Sequence, residues 1–243
     1  MLARIPVWLV TIAIVAASSS CDRRREHAFH WDGRRVVCSE AIDDRDHGLR
    51  WDRIEREIRA AAATSSALAF HAHVPGVTVS RETIARVLDL AARYGLVAMT
   101  FRELATTAHR VGAIALAFDD ASPAAWLSVA ELLASRHAHV TFFIAGWDAM
   151  SDAARADLRR LADAGHDIEP HGAHHVRAPE YVRAHGVVAY VRDEVLPSID
   201  ALRAAGYPPP TTFAYPGGFH TAELDGVLLA QFDLVRTTLS QCP

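Results

Sequence analysis

Several scarcities bound this chain before any motif is read. Its N-terminal apolar run, Ile5 to Ala17, falls short of the roughly 20 residues that a spanning helix needs, so a permanent membrane span is not expected there. An excess of positive charge is missing too. With 25 Lys and Arg against 29 Asp and Glu, a net charge of -4 and mixed signs along the chain, there is no basic stripe to neutralise phosphates, which argues against nucleic acid as a partner. Cysteine is limited to Cys21, Cys38 and Cys242. No repeat and no linker divides the chain, and 243 residues at 51% hydrophobic composition suffice for one α/β domain.

What is there begins with Arg4, the short apolar run and Ser18-Ser-Ser-Cys21, which together read as an export signal over residues 1–21. The small residues before Cys21 resemble the cleavage box of bacterial lipoproteins, making Cys21 a lipidation candidate, although Ser18 stands where Leu is usual. The alternative is ordinary signal cleavage, with Cys21 lost or free. A charged tether is expected over 22–37 and the domain over 38–243. The protein is thus expected in the periplasm or cell envelope, touching membrane only through a lipid anchor.

The chain is organised around Ala113 to Ala121, an apolar run that ends in two adjacent carboxylates, Asp119 and Asp120. It reads as a buried parallel strand carrying acids to the carboxyl edge of a sheet. Two like charges there are costly to desolvate, and a cation relieves them. About fifty residues later, just after the predicted strand Asp167 to Glu169, stand His171 and His175, which would share that edge. One carboxylate and two imidazoles leave coordination positions for water and substrate, the pattern of a catalytic metal site.

A third motif, Phe213-Ala-Tyr-Pro-Gly-Gly218, completes an ordered set with Phe118-Asp-Asp120 and His171-xxx-His175. That set resembles the polysaccharide deacetylases, the carbohydrate esterases built on the nodulation-deacetylase homology domain. Thr141 to Ile144 and Leu161 to Ile168 are similar as well, so the resemblance covers roughly residues 60 to 240. It implies a hydrolase removing N-acetyl or O-acetyl groups from an envelope or extracellular glycan. Asp120, His171 and His175 would hold one divalent metal, zinc by expectation, and Asp119 would be the general base. An oxyanion donor is implied at Tyr215, beside Pro216. The acid is expected to be His71, at the end of the strand beginning near Ser65; His73 is the alternative, since alternation puts both on one face.

The order of the segments departs from the family. A strand ending in histidine, a long helix and a closing Thr-xx-Glu-Leu normally come last; here they occupy residues 50 to 109, and the chain stops after the late strand Phe232 to Thr238. A circular permutation accounts for this. Chain ends lie on the surface and often near each other, so barrels tolerate one. Permutation also brings Cys38 and Cys242 to the two sides of the new break, where a disulfide is expected.

The expected fold is a distorted parallel (β/α) barrel of about seven strands: 65–73, 96–100, 113–119, 139–144, 167–169, 212–215 and 232–238. Helices are expected over 50–63, 81–94, 101–109, 123–135, 151–164, 187–205 and 222–230. Three departures stand inside the motifs. Ala214 occupies the place of an Arg that orients the base, Gly172 that of a loop-fixing Ser or Thr, and Ala121 that of a Gly. Of the aromatics Trp126, Trp147, Tyr181, Tyr215 and Phe219, only Tyr215 and Phe219 sit inside or next to a site motif and are groove candidates; the others, Trp126 included, read as core or rim. Two other readings stay open: a glycan-binding relative without turnover, and a deacylase or amidase acting on a small molecule.

Overall fold

The computed structural model describes residues 28–29, 33–46 and 48–243. The expected export signal over 1–21, its Cys21 and much of the expected tether lie outside the described residues. No helix among the described residues is long and apolar enough to cross a membrane.

Nine described strands form one sheet: β1 (Ala28–Phe29), β2 (Val36–Ala41), β3 (Ala67–Ala72), β4 (Val97–Ala98), β5 (Ala113–Asp120), β6 (Thr141–Ile144), β7 (Asp167–Pro170), β8 (Thr212–Ala214) and β9 (Leu234–Thr238). Seven of them run parallel in the order β7-β6-β5-β3-β2-β9-β8 and curl into a nearly closed α/β barrel. The other two are accessory, β1 antiparallel to β3 and β4 alongside β5.

The count of seven agrees with the sequence, but one member differs. The stretch expected as a strand over 96–100 supplies only the two-residue β4. Its place is taken by β2, whose Val36 and Val37 already pair with Val235 and Arg236, so the ordered domain begins before residue 38. Two strands from the front of the chain, β2 and β3, therefore sit between β5 and β9, as the permuted order expects.

The helices are α1 (Trp51–Thr64), α2 (Arg81–Arg93), α3 (Phe101–Thr106), α4 (Pro123–Leu127), α5 (Ala130–Ala134), α6 (Asp152–Asp163), α7 (Ala178–His185), α8 (Val187–Tyr190), α9 (Leu196–Ala204) and α10 (Ala222–Leu228). Their starts are chemically marked. The hydroxyls of Ser80, Ser151 and Thr221 accept the N–H three residues on, and Thr100 with Glu103 forms a reciprocal capping box. The helix expected over 123–135 is broken into α4 and α5, and α7 was not foreseen.

Strand alternation sorts the side chains into two sets. On β5, Ile114, Leu116 and Phe118 face the helices, whereas Ala113, Ala115 and Ala117 fill a narrow interior with Ala67 and Ala69 of β3 and Val37 of β2. Continuing each inward row toward the carboxyl edge brings Asp119, His71, Ser39 and Arg236 to the barrel's mouth.

The barrel lacks a strand ladder between β7 and β8. Glu169, with no exposed surface, bridges that seam: its carboxylate accepts from Thr211 N (3.0 Å), Thr212 N (3.2 Å), the Thr211 hydroxyl (2.9 Å) and Arg102 Nη2 (2.8 Å). One side chain thus satisfies backbone donors that a neighbouring strand would otherwise have taken.

Candidate metal and acid-base site

A cavity of about 340 Å³ opens at the mouth, lined among others by His71, His73, Asp119, His171, His175 and Arg236. Beside it, one ligand atom each from Asp120, His171 and His175 lies within 4.8 Å of the others. Asp120 and His175 are both held at positive φ, 83° and 59°, a costly backbone state for side-chain-bearing residues.

The donor set fits a cation. His171 Nδ1–H donates to Ala214 O (2.8 Å), which leaves Nε2 bare and 3.7 Å from Asp120 Oδ1. His175 Nε2 comes to 3.1 Å of the same oxygen, yet Asp120 Oδ1 has no well-formed hydrogen bond and is buried. A bare His171 nitrogen and the His175 Nε2 thus converge on one carboxylate oxygen, and a divalent ion between them would satisfy all three.

Asp119 is buried, and desolvation alone would raise its pKa. Arg236 overrides this, with help from His171, His71 and His73, and holds the carboxyl well below the usual carboxylate range. Arg236 Nη2 donates to Asp119 Oδ2 at 2.6 Å, while Asp119 Oδ1 is reached by no protein donor. The orienting guanidinium missing at Ala214 is thus supplied by β9. Sequence reading missed it, though a lone Arg inside the apolar alternation Leu234-Val-Arg-Thr-Thr238 was a signal.

His71 on β3 and His73 just beyond its end have opposite surroundings. The single Ser39 hydroxyl proton goes to Thr237 O (3.1 Å), so His71 Nδ1–H donates to Ser39 Oγ (2.9 Å). Burial, reinforced by the Arg236 charge, pushes His71 down to about 3, leaving it neutral. His73 Nδ1–H instead donates to Asp43 Oδ2 at 2.6 Å, and Asp43 also accepts from His73 N and the Thr78 hydroxyl. Burial works against protonation there, but the Asp43 hydrogen bond and the charges of Asp119 and Asp43 lift His73 to about 9. Trp126, fully buried, donates its indole N–H to His73 O (2.7 Å), so this ring positions a histidine and lines no groove.

Tyr215 and Pro216 correct the sequence reading. The Tyr215 N–H is already donated to Arg236 O (3.0 Å), and its buried hydroxyl donates to Asp225 Oδ1 (2.8 Å). Pro216 has no N–H and opens the turn Pro216–Gly218. Gly218 is required there: its φ is +74°, and a Cβ would come within 2.6 Å of Thr238 N on β9. From this turn, Gly217 lines the cavity; among the described residues no Trp, Tyr or Phe does. Cys38 and Cys242 are disulfide-bonded with Cα atoms 5.6 Å apart, tying β2 to the tail behind Leu239 and Ser240 of the cavity wall.

An α/β barrel whose mouth joins a carboxylate-imidazole cluster to a second, cation-paired carboxylate is the architecture of a hydrolytic centre. A polysaccharide deacetylase family model matches residues 106–231, just over half of the chain, and the chain belongs to that family. Among solved structures, IcaB from Ammonifex degensii is similar with a TM-score of 0.59 at 19% identity, covering 72% of this chain and 85% of IcaB. The Streptococcus pyogenes deacetylase PplD, solved in complex with acetate, gives 0.55 at 18% identity, over 71% and 82% of the two chains. A de-N-acetylase from Aggregatibacter actinomycetemcomitans gives 0.54 at 15%, over 71% and 93%. At such identities the likeness shows the fold. No curated protein matches the chain.

Proposed function

We propose that this protein is an exported, metal-dependent deacetylase that hydrolyses N-acetyl or O-acetyl groups on a glycan. The observation that carries the reading is the convergence of Asp120, His171 and His175 beside an ionised Asp119 whose Oδ1 is free. Export is supported by the Cys38–Cys242 disulfide, a bond that persists in oxidising compartments. The family match begins at residue 106, after β3, which supports the permuted order and places both acid candidates ahead of the matched segment.

Asp120, His171 and His175 would hold the ion, most simply zinc. When bound, it would supply Lewis-acid polarisation of the acyl oxygen and acidify a water. Asp119 Oδ1 would take up the proton of an attacking water, while Arg236 holds the other carboxylate oxygen and fixes the carboxylate's direction. The leaving amine or alcohol needs a proton, and His73 is the group equipped to give it. Its Nδ1 is anchored on Asp43 and its ring is charged at neutral pH, whereas His71 is neutral and bonded to Ser39. The acid role therefore passes from His71 to His73. With Tyr215 N–H engaged in the sheet, Gly217 N–H takes over as the backbone donor toward the developing oxyanion.

One observation favours a second reading of the substrate. Among the described residues the cavity lining has no Trp, Tyr or Phe on which sugars could stack, which suits a short acylated sugar or another small acylated molecule better than a long polymer.

The test is the metal content of purified residues 22–243 beside an identically prepared His175→Ala variant, with acetate release measured on acetylated mono- and oligosaccharides. About one equivalent of divalent metal, lost in the variant, together with acetate release is expected. Absence of metal in both, even after incubation with zinc, would sink the hydrolase reading and leave a glycan-binding relative. Turnover of oligosaccharides alone would reject the small-substrate reading.

A further inference from the structure

The loop between the two histidine ligands is too short to support itself. It runs through Gly172, Ala173, His174 and His175, with positive φ at Gly172 (+88°) and His175 (+59°), and no hydroxyl stands at position 172. Something outside it must hold the two imidazoles in register. Glu194 is the residue that reaches in.

Its backbone carbonyl accepts from Ala173 N at 2.9 Å. Its carboxylate accepts from His174 N (3.0 Å) and Val176 N (3.4 Å) through Oε2, and from His174 Nδ1–H (2.8 Å) through Oε1. The carboxylate is buried, with 1% of the residue exposed, so it is an internal strut and not a surface pair. Gly172 is fitted around it: a Cβ there would come within 2.9 Å of Glu194 Oε2. The absent hydroxyl and the glycine thus have one explanation, since Glu194 occupies the space a larger residue would need.

The helix is shaped for the purpose. Between α8 and α9 the chain makes a π turn, Val191–Val195, whose fifth-residue spacing inserts an extra residue. Pro197 follows at the start of α9 and has no N–H to continue the α pattern into that turn. Tyr190, one turn earlier, adds a bond from its hydroxyl to Val176 O (3.2 Å).

We infer that Glu194 is the positioning residue of the proposed metal loop, fixing the backbone between His171 and His175 so that both imidazoles meet Asp120. The inference rests on the metal reading above and deepens it. Glu194 touches neither the ion's place nor the substrate's; it acts through the loop.

The test uses the full mature chain and Zn²⁺. Zn²⁺ affinity is measured against a competing chromophoric chelator, and melting of the metal-free protein by circular dichroism, for wild type, Glu194→Ala, Glu194→Asp and Glu194→Gln. Loss of an outer-shell support is expected to weaken Zn²⁺ binding about 10–100-fold in Glu194→Ala. Glu194→Asp should weaken it as well, because removing one methylene withdraws the carboxylate by about 1.5 Å. Glu194→Gln should stay close to wild type: its amide oxygen can accept both backbone N–H groups, and its NH₂ can face a His174 Nδ1 that has given up its hydrogen.

A merely structural role would lower the melting of the metal-free variants and leave Zn²⁺ affinity alone, which would overturn the inference. If Glu194→Ala does not fold, Glu194→Asp decides, and wild-type affinity there overturns it. Wild-type protein that binds no Zn²⁺ fails differently, since it removes the metal reading itself and this inference with it.

Discussion

The Arg236 guanidinium meets the Asp119 carboxylate at 2.6 Å although 117 residues separate them, and neither side chain is more than 3% exposed. Arg236 Nε and Asp119 Oδ1 have no protein partner at all. The pair is therefore anchored on one side, and on the other leaves a buried carboxylate oxygen without a partner, the arrangement that suits the general-base role proposed for Asp119.

Breaking that pair leaves an uncompensated buried charge. Arg236→Met is expected to destabilise the protein by about 3–5 kcal/mol in urea unfolding. Adding Asp119→Asn, which removes the stranded charge, should recover a clear part of the loss. Equal stability of the single and double variants would mean that the two groups are not coupled.

His71 on β3 and His73 just after it predict opposite pH behaviour. If His73 donates the proton, raising the pH through about 9 removes it, so kcat/KM should fall on the alkaline side with a midpoint near there. Asp43→Asn takes away a group that raises this pKa, and the midpoint should move to lower pH. His71, held at about 3, could donate only in strong acid. An alkaline limb unmoved by Asp43→Asn would return the acid role to another group.

The disulfide joins residues 204 apart, so its loss frees a very large loop in the unfolded chain. On the chain-entropy account, the Cys38→Ser, Cys242→Ser variant should lose up to about 5 kcal/mol, and dithiothreitol should lower the melting temperature of the wild type only. Since Leu239 and Ser240 precede Cys242 and line the cavity, KM should rise more than kcat falls. An unchanged melting temperature under reduction would show that the ends are held by other contacts.

Glu169 predicts a stability effect without direct chemistry. Glu169→Ala leaves Thr211 N, Thr212 N and Arg102 without their buried acceptor, at a cost of about 3 kcal/mol or more. Amide exchange at Thr211 and Thr212 should accelerate beyond that of β5. Uniform acceleration would indicate global unfolding and not an opened seam.

Much of the site was legible because its parts are contiguous. Asp119 and Asp120 close one apolar run, His171 and His175 share one short loop, and the turn after Phe213 has its own residues. The groups that complete them were not. Asp43 lies 30 residues before His73, and Glu194 lies 20 after His174. No spacing rule links such partners. β2 was missed for a related reason: Val36 to Ala41 is short and contains Glu40, and it becomes a strand because β3 and β9 offer ladders on both sides.

The sequence by itself determined the elements that local chemistry controls. These are the buried parallel strand ending in two acids, the helix start capped by Ser80, and the spacing of the ligand candidates. Tertiary structure decided which cation stands beside Asp119 in place of the missing arginine, how the surroundings of His71 and His73 differ, and what braces the loop from His171 to His175. The reason is physical. Each answer depends on burial and on the approach of groups from different strands, and barrel closure alone sets both.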